Sequence, residues 1–85
     1  MQPAKRIRRL PTDEEVLAAV VAEADDGFCS FRELALRLRG SGERELRRAV
    51  GRSTRRGLLI ERRRQGSGYY ALTAEGWRLH RGAVG

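Results

Sequence analysis

The segment from Gly40 to Gly57 constrains the chain most, because it admits one helix and little else. It starts with Gly40-Ser41-Gly42 and stops at Gly57. Ser41 is expected as the N-cap, its hydroxyl accepting from a first-turn amide that has no partner inside the helix. Gly57 is expected in the left-handed conformation that ends helices. Between them, Leu46, Ala49, Val50 and Ser53 recur at helical spacing and make one narrow packing face. At about 100° per residue, Arg44, Arg48 and Arg55 lie roughly opposite that face, with Arg47 and Arg52 flanking them. A helix over 42–56 with one packed side and arginine on the other suits a polyanion.

Charge is distributed to match. Eighteen Lys+Arg against eleven Asp+Glu give a net +7, and every base except Lys5 is arginine. Arginine presents a planar fork of donors that fits phosphates and guanine edges, whereas lysine is a point charge. A GC-rich coding sequence also favours arginine over lysine, but it does not explain where the charges sit. Thr12 to Leu38 holds seven acids and two bases; Arg39 to Arg64 holds ten arginines and three acids. A solubilising charge set would be mixed. A one-sided basic region is the electrostatic footprint of a nucleic-acid binder.

The single cysteine, Cys29, excludes an intrachain disulfide and any zinc-finger spacing, and fits a reducing compartment. It reads as a small buried hydrophobe. No run is apolar enough to span a membrane. The basic stretch Lys5 to Arg9 leads into Pro11-Thr12-Asp13-Glu14-Glu15, not into the apolar core of a secretory signal. Residues 1–11 are therefore expected to form a flexible basic arm, either solvated or lying along DNA.

A first helix should begin at Thr12, since Thr12-x-x-Glu15 is a capping box. Its apolar stripe is Val16, Leu17, Val20, Val21 and Ala24, its remaining alanines serve helix propensity alone, and Asp25-Asp26-Gly27 ends it. Phe28-Cys29-Ser30 reads as a short strand. Ser30 and Glu33 form a second capping box, opening a helix whose buried face is Phe31, Leu34, Ala35 and Leu38, with Leu36 pointing outward. After Gly57, Leu58-Leu59-Ile60 begins a strand, Gly66-Ser67-Gly68 reads as a turn, and Tyr69 to Leu72 is a returning strand, with Arg62, Arg63 and Arg64 at the hairpin tip. Thr73 caps a final helix to His80, in which Trp77 is expected as a core anchor against the first helix, and residues 82–85 are expected to be loose.

In this order the elements resemble a winged helix-turn-helix domain over residues 12–81, an α+β fold that is mostly helical. Glu33-Leu34-Ala35-x-x-Leu38 followed by the turn to Ser41 resembles the helix-turn of bacterial regulators of this type. Arg55-Arg56-Gly57-Leu58-Leu59 resembles the end of a recognition helix. Tyr70-Ala71-Leu72-Thr73-Ala74-Glu75-Gly76 is similar to the Y-x-L-T-x-x-G close of the wing in MarR-like and PadR-like regulators. Ser53 stands where those regulators usually have leucine. The resemblance implies double-stranded DNA binding by a small transcriptional regulator or architectural protein of the cytoplasm, associated with the nucleoid. Arg44, Arg47 and Arg48 would then contact the major groove, and Arg52 and Arg55 phosphates further along. Ser41 and the free amides after it would take a phosphate at a helix N-terminus. Arg62, Arg63, Arg64, Gln65 and Ser67, in a wing over 61–69, would contact the backbone or minor groove. Gly51 on the outward face would admit the DNA backbone or be neutral.

An enzyme is not expected. His80 is the only histidine, no paired carboxylates have an apolar pocket to tune them, and neither Gly-Ser-Gly segment continues into the Gly-Lys-Ser/Thr of a phosphate-binding loop. No cofactor, metal or small-molecule ligand is implied. The competing reading is a winged-helix module that docks an acidic protein partner. RNA binding would rely on exposed aromatics, for which Tyr69 and Tyr70 are the candidates, one of them facing the core by strand alternation. A regulator of this size would act as a homodimer, in a side-by-side array, or with a borrowed partner. Replacing Arg47 and Arg48 by alanine should weaken DNA binding without unfolding the domain; equal affinity in a filter-binding assay overturns the placement of those two residues.

Overall fold

The first helix, α1 (Asp13–Ala24), begins on the expected capping box: Thr12 Oγ1 accepts from the Glu15 amide at 3.1 Å and Glu15 Oε1 accepts from the Thr12 amide at 2.9 Å. The protein is described here by a computed structural model covering residues 9–24 and 27–84. The basic arm up to residue 8, the Asp25-Asp26 stop and Gly85 lie outside the described residues. Val16, Leu17 and Val20 are fully buried, as their spacing requires, but so is most of Ala19. This corrects the reading of the alanines as propensity alone. Helix α1 is packed on by three other helices and the sheet, so its buried arc is wider than one stripe, and a small side chain at Ala19 lets a neighbour come close.

Strand β1 (Cys29–Ser30) leads directly into α2 (Phe31–Arg37). Ser30 caps it, with Glu33 completing the reciprocal bonds at 3.1 and 2.8 Å. Leu34 is fully buried, Phe31, Ala35 and Leu38 pack at the core's edge, and Leu36 is 65% exposed. The chain turns through a bond from the Ser41 amide to the Leu38 carbonyl and enters α3 (Glu43–Arg55). Here the structure corrects the sequence: the N-cap is Gly42, with no side-chain cap, and the Ser41 hydroxyl donates instead to the Arg9 carbonyl at 3.3 Å. At its other end α3 stops as expected. Gly57 has φ +77°, its amide donates to Thr54 O, and the Leu58 amide donates to Ser53 O, both at 3.0 Å, which is the Schellman arrangement.

Strands β2 (Leu59–Arg64) and β3 (Ser67–Leu72) form a hairpin, and β1 adds to β3, giving an antiparallel sheet in the order β1-β3-β2. The turn is the two residues Gln65-Gly66, both at positive φ (51° and 81°), and Ser67 and Gly68 belong to β3. The expected Gly66-Ser67-Gly68 turn is thus corrected. Two consecutive left-handed residues match the right-handed twist of the strands, which a longer flexible loop does not need to do. Arg62, Arg63 and Arg64 accordingly lie along the shaft of β2, opposite Tyr69, Gly68 and Ser67.

Helix α4 (Ala74–Val84) runs through the segment expected to be loose. Thr73 caps it by accepting from the Gly76 amide at 3.0 Å, while its own hydroxyl donates to Gly57 O at 2.6 Å. A Cβ at Gly76 would lie 2.2 Å from the Leu58 carbonyl oxygen, so only glycine permits this approach. The Thr-x-x-Gly pattern therefore clasps the end of α3. Trp77 is half-buried against the core, and its ring meets His80 edge-on at 5.9 Å. The result, among the described residues, is a small α+β domain of four helices and a three-stranded antiparallel sheet. Its core is centred on Val16, Leu17, Val20, Leu34, Leu46 and Val50, with Cys29 fully buried among them. Burial raises the Cys29 thiol to about 12, aided by Glu33 and Glu23. No helix among the described residues is long and apolar enough to cross a membrane.

One polar cluster ties the helices together. Asp13 Oδ1 accepts from Arg52 Nε at 2.9 Å and from Ser53 Oγ at 2.6 Å, and Asp13 Oδ2 accepts from Arg56 Nη1 at 2.6 Å. Arg52 also donates to Pro11 O. Ser53 is wholly buried, so its hydroxyl needs this partner. Burial alone would raise the Asp13 pKa; bonds from Ser53, Arg56 and Arg52 outweigh it and leave the pKa lowered. Glu15, bonded to Arg9 and Thr12, is lowered to about 2. Both folded-state values lie below the unfolded ones, so this stabilisation is complete above the carboxylate range near pH 4 and lost as pH falls through it. Urea unfolding should show stability declining below about pH 4.5, with Asp13→Asn flattening the decline. Asp13→Ala strands a half-buried guanidinium and a buried hydroxyl, and should cost about 2–4 kcal/mol at neutral pH.

Candidate nucleic-acid interface

The packing of α3 divides its surface into three strips. Leu46, Ala49, Val50 and Ser53 are buried, as their spacing requires. One flank turns toward α1: Arg52 and Arg56 hold Asp13 there, and the Arg52 side chain is only 21% exposed. The other flank turns toward the hairpin, where Arg47, Gly51 and Thr54 line a cleft with Glu61, Arg63 and Tyr70. Between the flanks, Arg44, Arg48 and Arg55 are exposed and make no ion pair among the described residues.

This sorts the expected site residues. Arg44, Arg48 and Arg55 stand together on the outward strip. Arg47 pairs with Glu43 at 2.9 Å and lays its guanidinium 4.3 Å from the centroid of the Phe31 ring. The ion pair is solvent-exposed on both sides, at 61% and 67%, so it holds the side chain weakly and an anion can displace it. Arg52 is committed to Asp13 and Pro11, which takes it off the outward face. Ser41 is half-buried with its hydroxyl turned to Arg9.

On the hairpin, strand alternation splits the three arginines. Arg63 shares a face with Glu61, to which it donates at 3.1 Å, and it also reaches the Gly66 carbonyl. Glu61 Oε2 accepts from the Tyr70 hydroxyl as well, at 3.3 Å. Burial raises the Tyr70 pKa, Glu61 raises it further, and the nearby Arg63 and Arg47 oppose this. Arg47 and Arg63 also line a larger cleft of about 600 Å³ between α2, the start of α3 and the hairpin turn. Arg62 and Arg64 lie on the opposite face, exposed and without ion pairs among the described residues, and Gln65 and Ser67 are exposed at the turn. The hairpin thus stands beside α3 with arginine on both its faces.

Sequence reasoning missed two contributors. Arg56 stays 61% exposed while bound to Asp13, which widens the basic surface at the end of α3. Phe28 is 43% exposed and lies under the Arg62 guanidinium at 5.4 Å. Its position two residues before Ser30, whose partner is Tyr69, was the available signal: alternation places Phe28 on the face of Tyr69. No group of three or more metal-ligating side chains occurs among the described residues. No protein-family model matches the chain, and neither does any curated protein or solved structure.

Gly51 sits between the outward strip and the hairpin flank of α3. A Cβ there would meet only the end of the Arg55 side chain, at 3.3 Å, which is free to move. Gly51→Ala should therefore raise stability by about 0.8–1 kcal/mol through helix propensity, read from the urea midpoint. A lower midpoint would show that Arg55 is held in place over Gly51.

Proposed function

We propose that the chain binds double-stranded DNA as a winged helix-turn-helix domain and serves as a small transcriptional regulator. The observation that carries this reading is the outward strip of α3, where Arg44, Arg48 and Arg55 stand exposed and unpaired among the described residues. Surface arginines in a net-neutral protein usually find carboxylates. Here Asp13 holds Arg52 and Arg56, Glu43 holds Arg47, Glu61 holds Arg63, and Glu45 on α3 itself is partly buried and pairs with no arginine among the described residues. What is left over is a strip of positive charge along a helix, matched in width to a major groove. The α2–turn–α3 arrangement supports the same reading, because α3 packs on α1 and β2 and leaves that strip facing solvent.

In this reading Arg44 and Arg48 reach base edges and Arg55 reaches a phosphate. Arg47 swings off Glu43 to join them while Phe31 supports its stem. Arg62 and Arg64, with Gln65 and Ser67 at the turn, lie on the adjacent backbone. Arg52 and Arg56 act indirectly, fixing α3 to α1 so that the strip is presented rigidly. Arginine bidentate to guanine is the commonest specific contact, so a guanine-containing site is expected.

The test is a titration with labelled duplex DNA across a salt series. Contact with about six phosphates should lower affinity about a thousandfold between about 50 and 200 mM salt. The Arg44→Ala, Arg48→Ala, Arg55→Ala triple variant should keep its fold, bind far more weakly, and show a shallower salt slope. Absence of duplex binding at low salt overturns the proposal and favours an acidic protein partner, with the 65%-exposed Leu36 as its apolar anchor.

A further inference from the structure

The face of the sheet turned away from the core is not the polar surface expected of a solvated hairpin. Register places Arg62 opposite Tyr69 and Tyr69 opposite Ser30. The alternating residues Cys29, Tyr70 and Leu72 are buried, so Arg62, Tyr69 and, by continuation, Phe28 share the outer face. Phe28 is 43% exposed and Ile60 on the same face is 40% exposed. The Arg62 guanidinium reaches across β3 to lie 5.4 Å from the Phe28 ring centroid. Phe28, Tyr69, Arg62, Arg63 and Arg64 line one concave cleft of about 530 Å³.

Phe28 is exposed and Tyr69 partly exposed, and the exposure of Phe28 costs the free energy that its burial would release. Their surroundings identify what would cover them. An apolar protein surface would leave Arg62 and Arg64 desolvated without partners. A small aliphatic ligand would make no use of the flat guanidinium. A nucleobase satisfies both features: its faces stack on Phe28 and Tyr69, while its flanking phosphates meet Arg62 and Arg64. A base inside a duplex has no exposed face, so the ligand must be unpaired. We infer that the outer face of the hairpin stacks an unpaired nucleobase of a DNA strand, next to the duplex held by α3. The inference deepens the proposed DNA binding and rests on it. It implies a preference for DNA with a single-stranded extension, a fork or a melted step over blunt duplex.

The experiment compares a blunt duplex with the same duplex carrying a short oligothymidine tail, and with one carrying an abasic tail that keeps the phosphates. The wild-type protein should bind the thymidine tail about tenfold more tightly than the blunt duplex, since stacking one base contributes on the order of that factor. The abasic tail should not reproduce the gain. Phe28→Ala and Tyr69→Ala should abolish the gain of the tailed over the blunt duplex, with Tyr69→Phe retaining it. A 2-aminopurine placed in the tail should be quenched by wild-type protein and not by Phe28→Ala. Equal affinity for blunt and tailed DNA, or a gain that survives both alanine variants or the abasic tail, overturns the inference and leaves duplex binding standing. Failure to bind any duplex, blunt or tailed, overturns the DNA reading together with the inference. A gain confined to a ribonucleotide tail overturns the assignment to DNA and moves the surface to RNA.

Discussion

Asp13 is the point on which the arrangement of the helices depends. It lies at the first residue of α1 and accepts from three donors in the last turns of α3: the Arg52 and Arg56 guanidiniums and the Ser53 hydroxyl. Its side chain is 11% exposed, so these bonds act in a partly desolvated setting where each is stronger than on an open surface. The same desolvation makes the cluster interdependent. Loss of the carboxylate would leave a buried hydroxyl and a half-buried cation without partners. A leucine at position 53 would pack the core but would remove one donor from the carboxylate. The serine there exchanges a hydrophobic contact for a polar tether between two helices.

That tether has an electrostatic consequence at the opposite side of α3. Arg52 and Arg56 are drawn toward α1, and Glu43 and Glu61 are drawn to Arg47 and Arg63. Asp13, Glu43 and Glu61 are thereby occupied at the flanks of α3. Positive charge remains on the strip of Arg44, Arg48 and Arg55 and on the outer face of β2. Part of the positive excess in the composition becomes, in three dimensions, two basic surfaces, one along α3 and one on the outer face of the hairpin. One is a ridge of guanidiniums along α3, suited to a groove; the other combines guanidiniums with Phe28 and Tyr69, suited to stacking.

Much of the chain was readable in advance where the physics is local. Capping boxes at Thr12 and Ser30, the left-handed stop at Gly57 and the Thr73 cap were all visible as short patterns, because each depends on residues at most a few positions apart. Errors arose where local signals were degenerate. Gly66-Ser67-Gly68 offered several turns, and the choice of Gln65-Gly66 was made by pairing Arg64 with Ser67 and matching strand twist. Ser41 was the expected cap, but Gly42 holds that position and the Ser41 hydroxyl turns to the carbonyl of Arg9, 32 residues away.

The residues alone determined the element types, the single cysteine's inertness, and the location of positive charge in the second half of the chain, since these follow from periodicity, capping chemistry and composition. Tertiary structure decided which arginines are free. Periodicity places Arg48 opposite the packed face of α3 and Arg52 beside it, but assigns neither a partner. Only the approach of Asp13, 39 residues before Arg52, makes one a structural tether and leaves the other facing solvent. Likewise, the pairing of Ser30 with Tyr69 brings Phe28 to the same face as Tyr69 and under Arg62. The physical reason is common to both cases. An ionic or stacking partner is chosen by distance in space, and a chain that folds back on itself sets that distance through its packing.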